Sequence, residues 1–153
     1  MKKQTKSYIF SNVPNAGISD NPTLLRITIT PMHTKVDFGY STFNSIYTNG
    51  GWIQISPETF MASKNQKRNY KLLNVEGISL SPKKHYFQSL RDWQFYSLYF
   101  EPIPLEDGTY EIIEPEFMDD KDEIEAANQV SGENFDFFNI QIEMKNALQI
   151  REN

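Results

Sequence analysis

Apolar side chains recur at every second position along most of this chain, and helical spacing is confined to one acidic stretch. In TLLRITIT (residues 23–30), Leu25, Ile27 and Ile29 fall on one side and Leu24, Arg26, Thr28 and Thr30 on the other. TKVDFGYSTF follows with Val36, Phe38 and Tyr40 opposite Lys35, Asp37 and Ser41. An extended backbone sends successive side chains to opposite faces, so both runs predict half-buried strands. The short Pro31-Met32-His33 connection predicts that they pair as a hairpin.

The same period returns further along. WIQIS sets Ile53 and Ile55 against Trp52 and Gln54, and KNQKRN reads as a hairpin tip. YKLLNVEGISL predicts a strand that bends at Gly77, and YEII opens another after the turn-rich PIPLEDGT. WQFYSLYF (93–100) puts Trp93, Phe95, Ser97 and Tyr99 on one face and Tyr96, Leu98 and Phe100 on the other. Aromatics on both faces predict a central strand. FFNIQIEM sets Phe138, Ile140, Ile142 and Met144 against Phe137, Asn139, Gln141 and Glu143. About seven or eight short strands separated by turn signals predict an all-β fold, an antiparallel β-sandwich. Aromatic residues make up 14% of the chain, which favours pleated surfaces over helices.

With 153 residues, a single domain is expected, large enough to bury roughly two thirds of its unfolded surface. The expected division is an irregular N-terminal arm (1–22), a sandwich (23–146) with an acidic insertion (116–134), and a C-terminal tail (147–153). The chain contains no cysteine, so disulfides, thiolate metal sites and cysteine nucleophiles are excluded. MKKQTKSYIFSN has the lysines of a signal peptide without the apolar stretch that would follow them. A periplasmic or cell-surface location is therefore expected only if a signal was removed, and a cytoplasmic one otherwise. No apolar run nears the roughly 20 residues of a membrane span.

The net charge of −5 is unevenly divided. Residues 1–75 hold nine Lys and Arg against three Asp and Glu, whereas residues 76–153 hold six against seventeen. Nine acids and one lysine lie between Glu114 and Asp136. Within that segment DDKDEIEAANQV admits a short helix with Ile124, Ala127 and Val130 as its apolar stripe, the one helical candidate in the chain. The division invites head-to-tail self-association, which high salt would suppress. Lys64, Lys67, Arg68, Lys71, Lys83, Lys84 and Arg91 form basic clusters, yet the pI of 5.0 argues against a nucleic-acid partner.

Chemistry-bearing constellations are few. His33 and His85 lie in no HExxH-type pattern, and neither a GxSxG elbow nor a phosphate-cradling glycine loop occurs. No catalytic, metal or cofactor-binding residues are expected, and the chain is read as non-enzymatic. Asp119, Asp120, Asp122 and Glu123 cluster without the spacing or glycine of a calcium loop, and a charge run is ordinarily a solvated segment. Trp52, after the glycine pair of GGWIQIS, either caps one end of the sandwich or stacks on a sugar or peptide. Trp93 and Tyr96 complete the short set of ligand-binding candidates; because they fall on opposite faces of their strand, only one row can meet a ligand.

Five phrases stand in a recognisable order: TLLRITITPMHTKVDF, GWIQISPETF, YKLLNVEGISLSPKKHYF, YSLYFEPIPLEDGTYEIIE and FFNIQI. From about Thr23 to Met144 the chain resembles the small immunoglobulin-like β-sandwich domains that precede the thioredoxin-like domain in bacterial envelope proteins of the TlpA and peroxiredoxin-like type. That resemblance implies an immunoglobulin-like fold and a non-catalytic accessory or protein-interaction module, with contacts made at strand edges or loops. It implies no catalytic residue, and no Cys-x-x-Cys is present to carry redox chemistry. The competing expectation is a carbohydrate-binding module using Trp52, Trp93 or Tyr96.

Overall fold

The computed structural model describes residues 6–17, 22–41, 52–80, 85–86, 93–115 and 136–151. The acidic insertion and its helical candidate lie outside them. The strands are β1 (Lys6–Ser11), β2 (Ala16–Gly17), β3 (Thr23–Ile29), β4 (Thr34–Ser41), β5 (Trp52–Ile55), β6 (Phe60–Ser63) and β7 (Arg68–Glu76). They continue with β8 (Ser79–Leu80), β9 (His85–Tyr86), β10 (Trp93–Phe100), β11 (Gly108–Ile113), β12 (Phe137–Ile142) and β13 (Leu148–Arg151). A single turn of 3-10 helix, Met144–Asn146, precedes β13. The all-β class expected from the periodicity is what forms.

Ten of these strands make one continuous antiparallel sheet in the order β13-β1-β3-β4-β10-β7-β6-β11-β12-β2. The sheet is strongly curled. Four strands separate β4 from β12, so in a flat sheet they would lie roughly 24 Å apart. Instead, the rings of Phe38 on β4 and Phe137 on β12 meet at 5.1 Å. The bend runs through β7. Its first half, Arg68 to Lys71, pairs with β6, while Leu72 to Glu76 pairs with β10. The β10–β7 register slips between Tyr99 and Phe100, which leaves Leu73 as an extra residue, 56% exposed. An inserted residue increases local twist, the usual means of turning a sheet's corner.

Ile27, Val36, Phe38, Leu98 and Phe100 from one half close on Met61, Tyr110, Ile112 and Ile140 from the other, each 1% exposed or less. Thr34, fully buried, donates its hydroxyl to the Glu101 carbonyl and accepts from the Ile103 amide. The small sheet β8-β5-β9 joins this core through the buried Ile55 and Ile78.

Three expectations need correction. Within the segment expected to be an irregular arm, β1 inserts between β13 and β3; β13 itself occupies most of the expected C-terminal tail. In β3, Leu24 pairs with Phe38 and Arg26 with Asp37, so Leu25 is bulged. The bulge turns Leu24 inward, at 7% exposure, and Leu25 outward, at 40%, reversing the alternation expected of them. In β12 a second slip, with Asn139 at φ +51°, brings Phe137 into the core beside Ile140.

Candidate interaction surface

Cross-strand register builds a polar row on the outer face of the sheet. Arg26 pairs with Asp37, Asp37 with Ser97, and Ser97 with Glu76, one residue each from β3, β4, β10 and β7. Arg26 Nε donates to Asp37 Oδ2 at 2.7 Å, and the Ser97 hydroxyl donates to Oδ1 at 2.5 Å. Lys35 Nζ stands 3.7 Å from the same Oδ1. The Asp37 side chain keeps only 12% of its exposure, and these three groups replace the water it gives up.

A second row lies one step along the strands, where Thr28, Lys35, Tyr99 and Asn74 are in register. The Tyr99 hydroxyl donates to Glu76, the His33 ring meets Tyr99 edge-on at 5.0 Å, and the Lys35 ammonium sits 5.7 Å from its centroid. Partial burial, followed by the Glu76 hydrogen bond and charge, pushes the Tyr99 phenol up to about 12.

Between these charges and the exposed Phe95 (63%) the face sinks into an open depression of about 570 Å³. It is lined by Leu25 and Arg26 from β3, Asp37 from β4, Phe95 and Ser97 from β10, and Glu76 and Gly77 at the end of β7. Gly77, at φ +75°, has no room for a side chain, because a Cβ there would come within 2.4 Å of the Phe95 carbonyl oxygen. The face therefore offers two apolar side chains beside charges fixed by register.

Of the three ligand-binding candidates, Tyr96 lies in the core, 2% exposed, its ring stacked on Phe38 at 5.1 Å. Burial, then the nearby charge of Glu114, holds its phenol well above the ordinary range. Trp52 pairs with Tyr86 and Trp93 with Ser41 through the backbone, but their side chains fall outside the described set. Among the described side chains, alternation delivers Phe95 and Tyr99 to the accessible face, Phe95 the more exposed at 63%. Their signal was visible in WQFYSLYF, although which of the two faces is covered is decided elsewhere in the fold.

Four of the basic residues, Lys64, Lys67, Arg68 and Lys71, lie at the β6–β7 hairpin, and two of them have clear side-chain partners. Lys64 bridges Glu111 at 3.1 Å and Arg68 lies over Tyr70 at 4.8 Å. Lys83, Lys84, Arg91 and the acidic candidates Asp119, Asp120, Asp122 and Glu123 lie outside the described residues. Among the described residues no group of three or more His, Asp or Glu could hold a metal ion, and no helix is long and apolar enough to cross a membrane. Compared with protein-family models, curated proteins and solved structures, the chain has no significant match in any of the three.

Proposed function

We propose that this chain is a non-catalytic protein-interaction module, an immunoglobulin-like accessory β-sandwich of the kind found in bacterial envelope or surface proteins. In this reading the two halves of the curled sheet act as the sandwich layers, with β7 crossing between them. The ordered phrases from Thr23 to Met144 support the envelope assignment. The observation that carries the interaction reading is the pairing of exposed Phe95 and Leu25 with Arg26 and Glu76 around one depression. Interface centres are enriched in aromatic and Arg side chains, and a few such anchors dominate binding. The outer face is a better docking platform than the sheet's edges, because β13 offers four residues and β2 only two for strand addition.

The same groups fit poorly with catalysis. Both oxygens of Asp37 are held by Arg26 and Ser97, and His33 packs against Tyr99.

The test compares wild type with Phe95→Asp as baits, followed by reconstitution of any captured protein from purified components. A loss of tenfold or more in affinity is expected for the variant. Equal affinity would remove this face from the proposal. A glycan panel read by tryptophan fluorescence covers the carbohydrate-binding alternative, and a saturable shift with a sugar, unchanged in Phe95→Asp, would favour Trp52 or Trp93 as the site.

A further inference from the structure

We infer that one partner of the outer face is a second copy of this chain, docked face to face about a twofold axis. This inference rests on the interaction reading above and names its partner.

The argument starts from register. The polar row runs Arg26, Asp37, Ser97, Glu76 straight across β3, β4, β10 and β7, with opposite charges at its two ends. Three strand spacings of about 4.8 Å place those ends roughly 14 Å apart, too far for Arg26 to pair with Glu76 in its own chain. Arg26 commits Nε to Asp37, and no other described residue engages its terminal amino groups. Glu76 accepts from Tyr99 through one oxygen, Oε1.

Consider a twofold axis lying in the interface, parallel to the strands and midway between β4 and β10. It exchanges β4 with β10 and β3 with β7 without moving any residue along its strand. Residues of β4 and β10 then meet, from the other copy, their own cross-strand partners, while β3 faces β7 at the same height along the strands. Arg26 meets Glu76 twice and Lys35 meets Tyr99 twice. Phe95 crosses over Gly39 on β4 of the other copy, one strand away from Leu25 on β3. Unlike charges and a cation with a ring face each other, and Asp37 meets the Ser97 hydroxyl, so no like charges are opposed, which is the self-complementarity an isologous dimer requires. Two sheets packed this way keep their strands within about 30° of each other, as aligned sheets do. A closed pair also differs from the head-to-tail chain that the uneven charge distribution first suggests.

Size sets the strength. Four strands and about five residues along each outline roughly 300 Å², well under the ~800 Å² per partner of a standard interface. The dimer is therefore weak and salt-sensitive, dissociating when the Debye length falls from about 10 Å to a few.

Charge reversal tests it. Arg26→Glu and Glu76→Arg are each measured alone by sedimentation equilibrium at low salt, then mixed in equal amounts. Each alone sets like charges against each other and is expected to be monomeric; the mixture restores two unlike pairs and is expected to dimerise at least as well as wild type. If the mixture stays monomeric while both variants keep the wild-type circular dichroism, the twofold arrangement is wrong. Should Arg26→Glu fail to fold, Glu76→Arg and Phe95→Asp alone decide: both must abolish dimerisation, and a folded variant that associates like wild type overturns the inference. Wild type that remains monomeric at 1 mM and low salt also overturns it. That outcome leaves the interaction reading standing, since only equal partner affinity of Phe95→Asp removes this face from it.

Discussion

Asp37 and Ser97 share a 2.5 Å hydrogen bond across β4 and β10, although 60 positions separate them in sequence. The contact ties the β3–β4 hairpin, which forms locally, to a strand that arrives much later. With Arg26 on its other oxygen, Asp37 is the point where three strands exchange charge.

Removing that carboxylate leaves Arg26, Lys35 and Ser97 facing a vacancy on a nearly covered surface. Asp37→Ala is expected to lower stability by about 1–3 kcal/mol, whereas Asp37→Asn, which keeps shape and an acceptor, is expected to lose less. Urea denaturation of both variants checks the order. Two equally small losses would mean that water substitutes for the carboxylate.

The bulge in β3 makes a sharper statement, because it separates two identical neighbours. Leu24→Ala is expected to cost about 2–5 kcal/mol as a core truncation, while Leu25→Ala should stay within roughly 0.5 kcal/mol. Thermal melts suffice. A larger loss at Leu25 than at Leu24 would remove the bulge.

Curling of the sheet rests on contacts such as Phe38 with Phe137. Phe137→Ala should destabilise by about 3–5 kcal/mol, with Phe38→Ala comparable and the double variant clearly less than additive, as touching side chains require. Strict additivity would place the two rings apart.

Alkali should unfold the protein through its tyrosines. Tyr99 and Tyr110 are pushed up to about 12 from 10.0, both mainly by burial, Tyr99 with help from Glu76 and Tyr110 from Tyr70 and Glu106. Tyr96 moves the same way. A raised folded pKa means that the folded state holds its proton longer. The stability these groups contribute is therefore complete below about pH 10 and is lost as pH rises through about 12. Absorbance at 295 nm, titrated with and without denaturant, should show a delayed native phase; superimposable curves would contradict it.

Much of this fold could be read from period two. The β3–β4 register follows from the turn alone, since Arg26 and Asp37 are equidistant from its centre, and that pair could have been named in advance. The bulges could not. Nothing in Leu24-Leu25 or Phe137-Phe138 says which member turns inward, and only Asn139, a residue type that tolerates positive φ, hinted at an irregularity. Strand β1 escaped for a different reason. KSYIFS is short, and its partner Leu148–Arg151 lies at the far end of the chain, so the energy that orders it comes from pairing rather than local preference. The candidate surface divides the same way, with Arg26 and Asp37 local and Ser97 and Glu76 supplied by topology.

Glu114 stands where the sheet gives way to the acidic connection. Its amide donates to Asp136 Oδ1 at 2.8 Å, and its carboxylate accepts from the Ser56 amide at 2.8 Å. These bonds staple the two ends of the acidic connection to each other and to the core, 22 positions apart in sequence. Closure entropy varies only logarithmically with length, so halving what lies between would change folding free energy by about 0.6 kcal/mol. The staple makes this the place where evolution, or an engineer, can splice in new sequence while the sheet stays intact.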